Sequence, residues 1–186
     1  MDNVLQCQQV FRALMQAMSG PGQVVNPGCS EKNLVQLICE TLLDQEVGLA
    51  VVGNEVETRM IKEITLSTGC FCTSVKKADY IVVAGGSSDG ALRDAFRGSL
   101  ENPDQGATVI YSITSFKRGS LSLVLKGPGI KDTCTVQMEG VDRSEVEMAA
   151  ELSSDFPLGL DLIFADQSSL MAIPRSTDFV SIGSDG

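Results

Sequence analysis

Two short apolar runs near the end of the chain restrict the fold more than any other stretch of the sequence. The runs, residues 160–165 and 170–173, are separated by a short polar segment that begins at Asp166. Apolar runs of this length joined by a turn predict two paired strands. Because Pro174 cannot donate to a sheet ladder, it marks the end or the edge of the second strand. The stretch therefore predicts a hairpin-like element at a sheet edge.

Two charged residues beside these runs make the same stretch the first candidate for a functional site. Asp161 lies within the first run, and Arg175 directly follows Pro174. The two side chains can pair with each other or anchor the turns beside them. Arg175 can also contact a carbonyl, a carboxylate or a partner where the chain leaves the sheet. A structural or interface role is favoured over catalysis.

The spacing of apolar residues predicts the helices and strands of the chain, which alternate over the first hundred residues. The first helix, Asp2–Ser19, is stopped by Gly20-Pro21-Gly22. Its apolar residues recur at intervals of three and four and predict one buried stripe: Cys7, Val10, Phe11, Leu14, Met15 and Met18. Further helices are predicted from Ser30, from a cap at Asn54, over 91–96 and over 144–153. Strands are predicted at 47–52, 70–75, 80–84, 107–113, 120–126 and 133–138.

Hairpins are predicted to follow this alternation in the later part of the chain. The strand 107–113 is expected to pair with 120–126 through a turn at Lys117-Arg118-Gly119. The fold class expected is a layered α/β/α domain whose mixed sheet is parallel first and antiparallel later. We expect a single domain over residues 1–182 and a flexible tail at 183–186.

The charge of the chain argues against two classes of partner. The formal net charge is −10, and of the 24 acidic residues 11 follow Lys131, where Arg143 and Arg175 are the only bases. An acidic surface repels phosphate backbones and anionic lipids, so neither nucleic acid nor membrane is expected as a partner. A basic partner protein would complement this last third, although a solvated acidic helix explains most such charge runs.

Histidine is absent from the sequence, which excludes several kinds of site. Ser-His-Asp and Cys-His catalysis and histidine-based zinc sites are impossible. Cys70 and Cys72 are predicted to share one face of a strand, either as core residues or as a redox or soft-metal pair. Reduced, buried cysteines are favoured because no export signal is recognised. We expect no catalytic residue, cofactor or metal, and a cytoplasmic location.

A glycine-rich loop, residues 85–90, lies between a predicted strand and a predicted helix, where nucleotide folds bind phosphates. Its spacing, G-G-x-x-x-G, matches neither the P-loop nor the dinucleotide motif. An ordinary strand-to-helix turn capped by Ser87 or Ser88 is favoured. For Arg12, an ordinary surface position is likewise favoured over the alternative, a contact with an anion.

Five segments together resemble a known family. In chain order they are Phe11-Arg-Ala-Leu-Met-Gln-Ala-Met-Ser-Gly-Pro-Gly22, Pro103-Asp-Gln-Gly-Ala-Thr108, Gly127-Pro-Gly-Ile130, Phe156-Pro-Leu-Gly-Leu-Asp-Leu-Ile163 and Ile173-Pro-Arg-Ser-Thr177. This series resembles the PhnH family, subunits of the bacterial carbon–phosphorus lyase system. The segments after residue 155 are the most specific of the series, and the glycine turns are the least.

The resemblance implies a non-catalytic assembly subunit of the carbon–phosphorus lyase core complex. That complex couples an alkylphosphonate to the ribose of ATP and forms a ribose 1-phosphonate 5-triphosphate. The implied fold is that of the large domain of pyridoxal-phosphate-dependent transferases, without the cofactor. The implied partners are the other core subunits and, for the isolated chain, a second copy. Seven residues are candidates for structural or interface roles: Arg12, Pro157, Gly159, Asp161, Pro174, Arg175 and Thr177.

Two other functions are kept as alternatives. The chain could be a small phosphate- or nucleotide-binding protein that uses Arg12, Arg175 and the Gly85-Gly86 loop. It could also retain pyridoxal phosphate. The second alternative is remote because the lysines of the sequence lie mostly in polar loops, helix faces or strand ends, outside the apolar pocket that an imine-forming lysine needs.

Overall fold

The computed structural model describes residues 3–29, 33–53, 58–116, 119 and 121–182. Within them the α-helices are α1 (Asn3–Ser19), α2 (Leu34–Leu42), α3 (Thr58–Thr68) and α4 (Arg143–Leu152). The strands are β1 (Gly48–Val52), β2 (Phe71–Cys72), β3 (Tyr80–Val83), β4 (Thr108–Ser112), β5 (Leu121–Lys126), β6 (Cys134–Met138), β7 (Asp161–Ala165), β8 (Leu170–Ile173) and β9 (Asp178–Ile182).

A six-stranded mixed sheet forms the centre of the fold, which confirms the predicted mixed sheet. Its strand order is β2-β1-β3-β4-β7-β8. The first five strands of that order are parallel, and β8 runs antiparallel to β7 at the edge. The hairpin predicted from the two apolar runs is therefore confirmed, with Leu162 paired with Ile173.

The hairpin predicted between 107–113 and 120–126 is wrong. β4 is a central strand of the large sheet, between β3 and β7, whereas β5 belongs to a separate three-stranded antiparallel sheet of order β6-β5-β9. The burial of the two strands gives the reason. Val109, Ile110 and Tyr111 are all fully buried, as in a parallel strand covered on both faces, whereas burial alternates along β5. Lys117 and Arg118 lie outside the described residues.

Helices and the small sheet cover the two faces of the large sheet. Ile110 and Ile163 pack with α1 and α2 on one face. The neighbouring residues Val109 and Phe164 pack with α4 and the small sheet on the other face. The alternation along each strand thus separates two apolar clusters. The arrangement is layered, but its second outer layer combines a helix with an antiparallel sheet.

Several predicted elements are shorter in the structure. The helix α2 begins at Leu34, where Asn33 Oδ1 accepts a hydrogen bond of 2.9 Å from the N–H of Val35. The predicted strand 70–75 is reduced to β2, and the predicted helix 91–96 is a 3-10 turn at Ala91–Asp94. The strand β9 was not predicted. Asp2, the predicted starts at Ser30 and Asn54 and the tail 183–186 lie outside the described residues.

The predicted stripe of α1 is only partly correct. The buried residues of α1 are Gln6, Val10, Ala13, Leu14 and Ala17. Phe11 is 50% exposed and Met15 58% exposed. The buried face is therefore rotated from the predicted one, because small alanines let the helix lie close to its neighbours and leave the larger side chains outside.

The predicted shared face of Cys70 and Cys72 is wrong. Cys70 precedes β2 and is buried, whereas Cys72 is exposed. Over the described residues, no three His, Cys, Asp or Glu side chains are grouped so that they could hold a metal ion. No helix in the same part of the chain is long and apolar enough to cross a membrane.

Candidate functional site: the Arg175–Asp161 cluster

Arg175 and Asp161 form an ion pair at the amino edge of the parallel strands. Because β7 begins at Asp161 and the antiparallel β8 ends at Ile173, the chain returns beside Asp161 two residues later. Arg175 Nε donates to Asp161 Oδ2 at 3.1 Å, and the Arg175 backbone N–H donates to Oδ1 at 2.9 Å. One carboxylate thus holds both the side chain and the backbone of Arg175.

The rest of the guanidinium is bound to the segment that leads into β4. Nη1 donates to the carbonyl oxygen of Pro103, and Nη2 donates to that of Gly106 at 3.2 Å. The side chain of Arg175 is 13% exposed and that of Asp161 17% exposed. Each guanidinium nitrogen therefore has an acceptor within the chain, as expected for an arginine that joins segments through its fork of donors.

Glycines allow the segments around Arg175 to approach closely. A Cβ atom on Gly106 would lie 2.6 Å from the carbonyl oxygen of Gly159 and 2.7 Å from Arg175 Nη1. A Cβ atom on Gly159 would lie 3.2 Å from Cβ of Arg175. The N–H of Gly159 donates to Arg97 O at 3.0 Å. The small size of these glycines is thus part of the geometry that holds the ion pair.

The turn after Arg175 packs against the turn at Gly127 to Gly129, and that turn packs against the end of α1. The N–H of Thr177 donates to Pro174 O at 2.9 Å. Thr177 is 2% exposed, and its hydroxyl has no hydrogen-bond partner within the described residues. A Cβ atom on Gly127 would lie 3.0 Å from Ser176 O, and one on Gly129 would lie 2.6 Å from Ser19 O. Parts of the five segments that carry the family resemblance therefore pack together.

The structure brings most of the predicted site residues into this cluster. Gly159, Asp161, Pro174, Arg175 and Thr177 are all in it, and Pro157 belongs to the loop that enters it, with a cis Phe156–Pro157 bond. Arg12 is separate from the cluster, on the exposed side of α1.

The Gly85-Gly86 loop lies at the opposite edge of the sheet. It follows β3, whereas Arg175 binds the segment that precedes β4, and these strands are parallel. At about 3.3 Å per residue, a five-residue strand separates the two edges by roughly 16 Å. The loop borders a cavity of about 310 Å³ together with Ser112, Thr114 and Asp142. Arg175 and the glycine loop therefore do not share one phosphate site.

Sequence reasoning missed Glu145, a buried carboxylate near this second edge. Glu145 is 2% exposed and lies in the first turn of α4. It accepts hydrogen bonds from the Ser88 N–H and hydroxyl, both at 3.0 Å, and from the Tyr111 hydroxyl at 3.2 Å. Its sequence context, an acid-rich helix, indicated only a solvated face. The contact joins residues far apart in the chain, so no local pattern could reveal it.

Tyr111 is the least exposed partner of Glu145. Its ring stacks on that of Phe164 with the centroids 4.9 Å apart. Burial, then the charge and the hydrogen bond of Glu145, raise the pKa of the Tyr111 hydroxyl well above its ordinary value. The neutral phenol is thus the form that this site holds.

Comparison with known proteins identifies a family and two relatives that resemble this chain. A protein-family model described as "Bacterial phosphonate metabolism protein (PhnH)" matches residues 1–180. The chain is 33% identical over 170 residues to a Stutzerimonas stutzeri protein named "Putative C-P lyase subunit protein HtxG", covering 91% of this chain and 84% of that relative. It is 24% identical over 183 residues to the Rhizobium meliloti (strain 1021) protein named "Alpha-D-ribose 1-methylphosphonate 5-triphosphate synthase subunit PhnH". This match covers 95% of this chain and 91% of that relative.

Proposed function

The chain belongs to the PhnH family of bacterial phosphonate metabolism proteins, and from this we propose that it is a non-catalytic assembly subunit of a carbon–phosphorus lyase core complex. The two relatives are named as subunits of such systems. The reaction of the complex, in this proposal, forms a ribose 1-phosphonate 5-triphosphate from ATP and an alkylphosphonate. The chain itself supports assembly and positions neighbouring subunits.

One observation carries the non-catalytic part of the proposal. The most site-like residue, Arg175, already has acceptors for each of its guanidinium nitrogens within the chain. A substrate anion could bind there only by displacing Asp161 or the two backbone carbonyls. Because the pair is mostly buried, such displacement would leave charges unpaired. The cluster therefore supports a role in holding the fold and the subunit surface in place.

Co-purification with the other core subunits tests the proposal directly. The tagged wild-type chain is co-expressed with them, and the expected result is one complex that contains all the subunits on affinity and size-exclusion columns. The isolated chain should neither hydrolyse ATP nor turn over a phosphonate. A chain that elutes alone while the remaining subunits assemble without it would contradict the proposal.

Three finer features belong to the same proposal. We propose that the isolated chain pairs with a second copy, that it acts in the cytoplasm, and that its fold corresponds to the large domain of pyridoxal-phosphate-dependent transferases. The layered arrangement around a mostly parallel mixed sheet supports the last point. Addition of pyridoxal phosphate should give no absorbance band from a protein-bound imine, and a solved structure superposed on those transferases tests the fold.

The cavity beside Gly85 and Gly86 favours a second candidate, a small-ligand site. It lies at the carboxyl edge of parallel strands, where ligands of open α/β sheets bind. This candidate predicts heat of binding when ATP or an alkylphosphonate is titrated into the isolated chain. A flat titration for both compounds would eliminate it and leave the assembly role.

A further inference from the structure

The side of α1 that faces away from the core is apolar and exposed. Phe11 and Met15 are 50% and 58% exposed, and Leu5, near the start of the same helix, is 45% exposed. A helix with apolar residues on both its inner and its outer side is usually covered on both. Within the described residues, α1 packs mainly against α2 and β8, so its outer side remains uncovered.

An apolar groove lies next to this outer side. It has a volume of about 150 Å³ and runs between Phe11, Met15 and Met18 of α1, Leu42 of α2 and Tyr80 at the start of β3. Small-molecule pockets usually begin at about 300 Å³. The groove is therefore too small for a typical ligand, but it can receive a protruding apolar side chain.

The charges around the groove are arranged asymmetrically. Arg12 is the only charged residue of α1, and it lies one turn from Met15. Beyond the groove, burial and then the charges of Asp79 and Asp44 raise the pKa of Tyr80. Both of these aspartates are exposed. The patch thus has an apolar centre, a cation on one border and carboxylates on another.

Such a patch is complementary to itself under a twofold axis. An isologous interface brings the same surface of each copy together, so a cation at one border meets the acids at the other. Phenylalanine, methionine and arginine are also enriched at interface cores, where most charged residues are depleted. Elsewhere, the net charge of −10 makes two copies repel each other. The outer side of α1 lacks acidic residues and avoids this repulsion.

We propose that Phe11, Arg12, Met15 and the adjoining groove, together called the α1 face, form the surface on which two copies of this chain pair. The proposal rests on the self-association included in the proposed function and adds the surface that mediates it. The apolar side chains of each copy cover the groove of the other. Arg12 of each copy faces the acidic border, Asp44 and Asp79, of the second copy.

The test is the molar mass of purified variants, measured by light scattering after size exclusion and by sedimentation at micromolar concentration. The wild-type chain should be a dimer. Phe11→Glu and Met15→Glu should each raise the dissociation constant at least about 30-fold, as expected for loss of an interface hot spot. Leu66→Glu is the matched control, because Leu66 is an exposed apolar residue of another helix, at 86%.

Each outcome of this test decides the proposal. Dimers for the wild type and Leu66→Glu with monomers for the two α1 variants, all with unchanged helical circular dichroism, would support it. A monomeric wild type, a dimeric Phe11→Glu or an equally monomeric Leu66→Glu would overturn it. Co-purification of the wild type with the other core subunits tests the assembly function separately, so failure of one result is distinguishable from failure of the other.

Discussion

Arg175 and Glu145 show how two charged residues stabilise this fold without facing solvent. Arg175 donates hydrogen bonds to one carboxylate and to two backbone carbonyls of segments that are distant in sequence. Glu145 accepts hydrogen bonds from Ser88 and Tyr111. In both, the low local dielectric makes a complete set of partners favourable and an incomplete set costly. Their removal should therefore affect stability more than removal of exposed charges.

Arg175→Ala should lower the free energy of unfolding by about 3 kcal/mol, the lower end of the cost of breaking a buried pair. The reason is that Asp161 and the carbonyls of Pro103 and Gly106 lose their donors. Urea denaturation followed by circular dichroism measures the change. Arg143→Ala is the control, since the pair of Arg143 with Glu147 is about half exposed. It should cost much less than Arg175→Ala, because solvent screens an exposed pair. Equal losses for the two variants would contradict this account.

The raised pKa of Tyr111 predicts a loss of stability at alkaline pH. The unfolded chain releases the phenolic proton near its ordinary pKa of about 10, whereas the folded chain retains it. The contribution of Tyr111 is therefore complete below about pH 10 and declines above it, by up to about 1.4 kcal/mol per pH unit. Urea midpoints measured across this range check the slope. Tyr111→Phe should reduce the slope, and an unchanged slope would show that Tyr111 is not responsible.

At the scale of elements, glycine turns allow the strand ends and loops to converge at the amino edge. The turn at Gly106 leads into β4, the loop at Gly159 leads into β7, and Arg175 follows β8. Backbone atoms of these segments approach within distances that exclude a Cβ atom. The position of the ion pair therefore depends on how the elements pack as much as on the charged residues.

Gly106→Ala should destabilise the protein by about 1–3 kcal/mol, the usual cost of overpacking. The added Cβ atom would collide with the Gly159 carbonyl and with Arg175 Nη1, neither of which can move freely. Gly20→Ala is the control, because its closest neighbour would be the flexible end of Gln23 at 3.1 Å. Thermal and urea midpoints measure both variants. A Gly106→Ala protein as stable as the control would refute the close approach.

At the scale of the whole molecule, two parts of the surface differ in chemistry and would respond differently to salt. The last third of the chain is acidic, with Arg143 and Arg175 as its only bases after residue 131. The α1 face is apolar and carries one cation, Arg12. Charged contacts weaken with salt, whereas burial of apolar surface does not depend on them.

Salt should therefore separate the two kinds of association. Added sodium chloride weakens the exposed contacts proposed for Arg12 with Asp44 and Asp79, but it also screens the repulsion between two chains of net charge −10. Because the apolar contacts do not depend on salt, self-association should be maintained or strengthened. If the acidic third binds a basic subunit, as the charge pattern allows, that contact should weaken over the same range. Sedimentation of the isolated chain and retention of subunits during salt washes measure the two effects. A dimer that dissociates as salt rises would contradict an apolar α1 face.

The sequence by itself determined the family, the mixed sheet and the hairpin of β7 and β8. The mixed sheet and the hairpin follow from local patterns, namely short apolar runs, a polar turn and a proline that cannot donate to a ladder. The family follows from the ordered series of five motif segments that resembles it. The association of Asp161 with Arg175 was also foreseen as one option, because the antiparallel hairpin returns the chain to its start.

Only the tertiary structure decided which strands pair across long separations and which face of α1 is buried. The strand 108–112 pairs with parallel strands that are distant in sequence, and both its faces are covered. No local turn pattern predicts this pairing. The same holds for Glu145 and for the carbonyls that bind Arg175, whose partners lie tens of residues away. Patterns of neighbouring residues determine elements, whereas contacts between elements depend on the shape and burial of the complete fold.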